Sequence, residues 1–100
     1  MHKQYPPFEF RFFTDDGHGW LEVPLLQLLQ MGIAHEISRF SYMKGDYVYL
    51  EEDIDINVFL SRFTNDQYTL EHFHVRGDAP IRQYKRFRWI GGISDIEQTA

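Results

Sequence analysis

Turn-forming residues break this 100-residue chain at short intervals and leave only short apolar segments between them. In the first such segment, Phe8, Phe10 and Phe12 alternate with charged residues. This period of two predicts a strand that is buried on one face. Turn-forming residues at 15–19 and a second apolar run at 20–23 follow it, so the two runs are predicted to form a hairpin.

Two later segments have the periodicity of short helices. The first, 25–31, places its apolar residues, Leu26 included, on one stripe. In the second, 56–63, apolar residues recur at the spacing i, i+3, i+4, i+7. Asp53 or Asp55 is suited to cap the N-terminus of this second helix, because a carboxylate can accept hydrogen bonds from the free N–H groups there.

Four further segments have the composition of strands, and these are 39–43, 47–51, 67–75 and 81–90. The order of elements predicts a single α+β domain, with a small antiparallel sheet of about five strands and two short helices packed on one face. We expect residues 1–7 to form an extended N-terminal segment. We expect residues 91–100 to form a flexible tail, because two glycines, at 91 and 92, interrupt regular structure where this range begins.

Composition excludes several classes of site. The chain has no cysteine, which excludes disulfides, thiolate metal centres and a thiol nucleophile. No apolar run is long enough to span a membrane, and the first ten residues lack the apolar stretch of a secretory signal, so we expect a cytoplasmic protein. No serine lies in a G-x-S-x-G setting and no phosphate-cradling motif is present, so we expect neither catalysis nor a cofactor.

Charge is distributed unevenly along the chain. The net charge is −5, but residues 1–75 carry −7 and residues 76–89 carry +4. Basic and aromatic side chains alternate in the second range and form a candidate binding surface, which comprises Arg76, Arg82, Tyr84, Lys85, Arg86, Arg88 and Trp89. Such a surface suits phosphate contact with base stacking, or an acidic protein partner.

Six carboxylates make up an acidic candidate surface, provided that the two loops carrying them lie at the same end of the sheet. They are Asp15, Asp16, Glu51, Glu52, Asp53 and Asp55. An acidic surface of this kind can occupy a protein site that is built for nucleic-acid phosphates.

A weaker candidate is a metal site at His72 and His74. On a strand their rings point to one face, a spacing that can chelate zinc or copper. A third ligand, such as His18, would have to come from elsewhere in the chain.

Several strings together resemble a family of small uncharacterised proteins of bacteriophages, prophages and plasmids. They are His18-Gly19-Trp20-Leu21-Glu22-Val23-Pro24, Gly32-Ile33, Ile37-Ser38-Arg39-Phe40-Ser41-Tyr42, Tyr49-Leu50-Glu51-Glu52-Asp53-Ile54-Asp55 and Gly77-Asp78-Ala79-Pro80-Ile81-Arg82-x-Tyr84. The resemblance implies a mobile element in a bacterial host. It implies no activity for any residue.

We therefore expect a non-enzymatic interaction protein of a phage or plasmid that binds and modulates a host protein complex, for example an inhibitor of a defence system such as an anti-CRISPR. The alternatives are a nucleic-acid-binding accessory protein that uses the basic and aromatic surface, and a small metal-binding protein. A homodimer is a further alternative. A chain of this size with 17% aromatic residues is expected to leave apolar surface exposed, and such surface usually marks an interface.

Overall fold

A computed structural model describes residues 8–89, and the predictions for residues 1–7 and 91–100 lie outside this range. Within it, six strands and two short helices confirm the predicted α+β class. The strands are β1 (Phe8–Thr14), β2 (Gly19–Pro24), β3 (Tyr42–Lys44), β4 (Tyr47–Glu51), β5 (Tyr68–His74) and β6 (Lys85–Arg86). The helices are α1 (Leu25–Met31) and α2 (Asp55–Leu60), and 3₁₀ turns cover Ala34–Glu36, Asn65–Gln67 and Pro80–Gln83.

The six strands form one sheet in the order β5-β1-β2-β4-β3-β6. The predicted hairpin is present as the antiparallel pair β1–β2, and β3 and β4 form a second antiparallel pair. The sheet is mixed rather than purely antiparallel, because β5 pairs with β1 in parallel. This direction follows from α2: a helix between two strands returns the chain to its starting end, so β5 runs in the same direction as β4, which is also the direction of β1.

Both helices pack on one face of the sheet, as predicted. Leu28 of α1 and Phe59 of α2 are fully buried there against Leu21, Val48 and their neighbours. One detail differs, since the side chain of Leu26 is 61% exposed and points away from this core. The helices are short, so their stability comes from this packing rather than from intrinsic helix propensity.

The opposite face of the sheet is covered by the segment 76–84, which the sequence analysis placed partly in a strand. Ala79 and Ile81 from this segment pack on Trp20, Tyr42 and Tyr49 and form a second buried cluster. Pro80 opens a 3₁₀ turn here, and of the predicted 81–90 strand, as far as residue 89, only Lys85–Arg86 pairs with the sheet. The 3₁₀ turn is consistent with Pro80, because proline fixes φ and provides no N–H for a strand ladder.

The cap of α2 differs from the prediction, because neither Asp53 nor Asp55 caps it. Instead the side chain of Glu51 accepts hydrogen bonds from the backbone N–H groups of Asp53, Ile54 and Asp55, at 2.7, 2.7 and 2.9 Å. Glu51 therefore satisfies donors that would otherwise lack a partner at the helix start. Neither helix within residues 8–89 is long and apolar enough to cross a membrane.

Candidate functional site

A groove of about 370 Å³ lies at the end of the sheet where several loops meet. Trp20 and Tyr42 line it and are buried, with ring centroids 6.3 Å apart. Phe40 and Ile54 also line it, but their side chains are 65% and 54% exposed. The groove thus combines a buried aromatic floor with two apolar side chains that project into solvent.

Charged residues of both signs border the same groove. Glu51, Glu52 and Asp53 line it from the loop between β4 and α2, and Arg82 and Arg86 line it from the C-terminal segment. The acidic and basic surfaces that the sequence analysis treated as separate therefore meet in one place. The two acidic loops lie at the same end of the sheet, which meets the condition for an acidic surface, since Trp20, just after the β1–β2 turn, is paired with Glu51.

Two of the six acidic candidates are buried and serve the fold. The carboxylate of Asp55 is fully buried and accepts hydrogen bonds from the hydroxyl groups of Ser38 and Ser41, both at 2.6 Å. Ser41 in turn accepts a hydrogen bond from the backbone N–H of Glu51 at 2.9 Å. This network holds the loop that carries Phe40 against the start of α2. Asp55 is therefore not available to a partner.

Asp15 is the second buried carboxylate. It accepts hydrogen bonds from the backbone N–H groups of Gly17 and His18, both at 2.9 Å, which closes the turn between β1 and β2. It also binds Arg82 through two nitrogens, at 2.5 and 2.9 Å, and accepts from the N–H of Ala79 at 2.9 Å. The bond from Arg82 holds the pKa of the Asp15 carboxyl well below its usual value, and the backbone donors add to this against the opposing effect of burial.

Of the other four acidic candidates, Glu51 is half-buried and caps the start of α2, and Asp16, Glu52 and Asp53 are exposed. Glu52 and Asp53 lie on the groove border, and Asp16 lies on the β1–β2 turn. Asp16 accepts a hydrogen bond from the N–H of Gly77 at 2.9 Å and lies 3.4 Å from the ring of His74. Of the acidic surface, Glu52 and Asp53 are therefore the two charges that are exposed at the groove.

The basic and aromatic candidates do not form one continuous surface. Arg82 is held by Asp15, and Tyr84 packs with the cluster on the second face of the sheet. Trp89 packs on the core of the helix-covered face. Arg86 lies over the ring of Tyr42, 4.7 Å from its centroid, with its side chain in the groove. The other three candidates, Arg76, Lys85 and Arg88, are exposed.

His72 and His74 lie on the edge strand β5, which β1 separates from β2, the nearest strand that lines the groove. The ring of His72 packs edge-on against Phe12 at 5.4 Å, and Nδ1 of His74 is 2.8 Å from the hydroxyl oxygen of Thr14. Among residues 8–89, no three His, Asp or Glu side chains are grouped so that they could hold a metal ion. The structure therefore does not bring a third ligand, such as His18, to this pair.

Phe40, Ile54 and Tyr42 were not among the site residues predicted from the sequence. Phe40 was placed in the predicted strand 39–43, but β3 begins only at Tyr42, so Phe40 lies in the loop before it. Ile54 lies just before α2. Tyr42 was placed in a strand, but the strand pattern alone does not show that its ring borders a groove.

Gly19 allows the strands to approach closely beside the groove. A methyl group at its Cα would lie 2.7 Å from a carboxylate oxygen of Glu52 and 2.7 Å from the ring of Phe12. We expect Gly19→Ala to lower the free energy of unfolding by about 1–3 kcal/mol, because the half-buried ring of Phe12 has to move. Urea denaturation followed by tryptophan fluorescence would measure this. An unchanged midpoint would contradict the close approach.

Comparison with known proteins does not assign this chain to a family. No protein-family model matches the chain, and no curated protein and no solved structure matches it. The resemblance to phage, prophage and plasmid proteins thus stays a prediction from the sequence.

Proposed function

We propose that this chain is a non-enzymatic interaction protein of a phage or plasmid that binds a host protein complex through the groove. The observation that carries this proposal is the exposure of Phe40 and Ile54 beside buried aromatic rings and charges of both signs. Protein interfaces have this composition, with apolar and aromatic side chains at the centre and a charged rim. Exposure of aromatic and aliphatic side chains to water is unfavourable in free energy, and binding of a partner removes this exposure.

A protein partner fits the groove better than nucleic acid does. Glu52 and Asp53 border the groove and would repel phosphates, and Arg82 is already neutralised by Asp15. The two aromatic residues that would stack on bases, Tyr84 and Trp89, pack in clusters on opposite faces of the sheet. The proposal that the partner belongs to a bacterial defence system, so that the chain acts as an anti-CRISPR or a related inhibitor, depends on the resemblance alone.

Capture from a bacterial lysate with groove variants tests this proposal. We expect Phe40→Ala and Ile54→Ala each to weaken capture of the same host protein by about tenfold, the effect typical of a central interface side chain. Leu26→Ala is the matched control, because it removes an exposed apolar side chain on α1 that does not line the groove. Capture should be insensitive to nuclease and unchanged in the control.

Two results would contradict the proposal. The first is equal loss of capture in Leu26→Ala, which would mean that the groove is not the binding surface. The second is recovery of nucleic acid that disappears on nuclease treatment or as salt is raised, since binding to phosphates weakens steeply with salt. The double variant Arg86→Ala with Arg88→Ala should then abolish binding, and the basic residues would replace the groove as the site.

A further inference from the structure

The outer edge of β5 has the features of a strand that accepts another strand. β5 lies at one end of the sheet and pairs with β1 over seven consecutive residues without a bulge, from Tyr68 opposite Phe8 to His74 opposite Thr14. Within the part of the chain that the structure describes, no strand pairs with its other side. Edge strands are usually protected by proline, by charged side chains, lysine above all, or by a bulge; β5 has no proline, lysine or bulge, and Glu71 is its one Asp, Glu, Lys or Arg residue.

Hydrogen bonding to β1 determines which backbone groups of β5 face outward. The N–H of Val75 donates to the carbonyl oxygen of Thr14 at 2.9 Å, so Val75 faces β1. Backbone groups alternate in direction along a strand, so those of Phe73 also face β1. The N–H and C=O groups of Leu70, His72 and His74 then face away from the sheet, where they can form a second ladder.

The side chains on β5 favour one arrangement of two identical strands. Phe73 is 37% exposed and stacks on Phe13 at 5.3 Å with an interplanar angle of 22°. If two copies of β5 run antiparallel with their two-fold axis at Phe73, the two Phe73 side chains form a non-hydrogen-bonded pair, in which opposed side chains are closest. Glu71 then lies opposite Val75 of the second copy. An axis at Glu71 would instead oppose two carboxylates.

We propose that a second copy of this chain pairs antiparallel along β5, with the two-fold axis at Phe73, so that both sheets become continuous. A second copy fits this edge because one strand supplies both sides of the ladder, buries its own exposed aromatic ring and keeps like charges apart. A single strand pair buries little surface, so the dimer forms reversibly and depends on protein concentration. This interface is independent of the proposed function, because no residue of β5 lines the groove.

Sedimentation velocity over a concentration series tests the dimer. His72→Pro removes an outward-facing N–H and leaves the ladder to β1 intact, because proline is tolerated on an edge strand when its nitrogen faces solvent. His72→Ala is the control, since it removes the same side chain and keeps the N–H. We expect the original chain and His72→Ala to dimerise as concentration rises, and His72→Pro to dimerise at least about tenfold more weakly, equivalent to 1.4 kcal/mol.

A second pair of variants tests the position of the axis and remains informative if His72→Pro does not fold. Phe73→Asp and Phe73→Lys should each be monomeric, because like charges would face each other across the axis, and an equimolar mixture should dimerise. The original chain remaining monomeric up to the highest soluble concentration would overturn the proposal. Undiminished dimers of His72→Pro, or of either charged variant alone, would also overturn it. Phe40→Ala should dimerise normally, which separates this result from the test of the groove.

Discussion

Replacing Asp55 with alanine is expected to lower the free energy of unfolding by about 3 kcal/mol, because several donors lose one shared acceptor. The carboxylate is fully buried and accepts from the backbone N–H of Ser38 at 3.0 Å, as well as from the hydroxyls of Ser38 and Ser41. Each buried donor that is left without a partner costs about 1–3 kcal/mol. Chemical denaturation followed by tryptophan fluorescence measures the change.

The same substitution should disturb the groove, because the loop that Asp55 holds carries Phe40. The backbone N–H of Phe40 donates to the hydroxyl oxygen of Ser38 at 3.1 Å, and Ser38 is bound to Asp55. Partner capture by Asp55→Ala should therefore fall even under conditions in which the variant is folded. Asp55→Asn should be less destabilising, because its amide oxygen still accepts a hydrogen bond.

Ser61→Ala provides the control for the Asp55 network. The hydroxyl of Ser61 donates to the carbonyl of Val58 at 3.1 Å, but the residue is exposed at the end of α2. Its replacement should change the free energy of unfolding by less than about 0.5 kcal/mol, as is usual for exposed positions. If Asp55→Ala were no more destabilising than Ser61→Ala, the buried network would not stabilise the fold.

Local patterns predicted much of the fold because they depend on residues close together in sequence. Alternation of apolar and charged residues at the start of the chain predicted β1, and the turn residues after it predicted the hairpin with β2. The repeat at 56–63 predicted α2 in the same way. Each of these elements is determined by side-chain spacing within a few residues, so it can be recognised without knowledge of the tertiary structure.

Contacts between distant residues were not predictable in this way. Asp15 and Arg82 are 67 positions apart, and each has the composition of a surface residue when considered alone. Only the folded chain shows that they neutralise each other, which removes one residue from each of the two candidate surfaces. The cap of α2 is a related case, because the sequence pointed to Asp53 or Asp55 and the folded chain uses Glu51.

The candidate groove was predictable only in part. Its acidic residues were identified as a loop cluster and its arginines as part of a basic segment, but their meeting depends on where the segment 76–84 packs on the sheet. Phe40 and Ile54 carry no local signal, because exposure of an apolar loop residue is a property of the tertiary structure. The groove is thus formed by segments whose relative position the local sequence does not specify.

Acidification should destabilise the protein below about pH 4, and Asp15 should account for a defined part of that loss. Its pKa is lowered in the folded state by Arg82 and by backbone donors, whereas an unfolded chain has the ordinary value of about 3.9. Above that pH the carboxylate is ionised in both states and its pairing contributes fully to stability. As the pH falls further, the unfolded state takes up the proton first, so this contribution declines by about 1.4 kcal/mol per pH unit until the folded-state pKa is reached.

Asp15→Asn separates this contribution from that of the other carboxylates. At pH 7 the variant should be less stable than the original chain by about 3 kcal/mol, because a buried charged network loses its acceptor. The difference between the two proteins should shrink by about 2 kcal/mol between pH 4 and pH 2.5, since only the original chain loses the pairing. Urea denaturation at several pH values provides the measurement.

Asp78→Asn is the matched control for this pH series. Asp78 also lies near Arg82, at 3.8 Å, but its side chain is exposed to solvent. An exposed ion pair contributes little to stability, so the difference between Asp78→Asn and the original chain should be small and nearly constant with pH. If the Asp15→Asn difference were equally constant, the Asp15–Arg82 pair would not link the β1–β2 turn to the segment 76–84. The buried network would then be excluded as the origin of the acid sensitivity, and Arg82 would be available to a ligand in the groove.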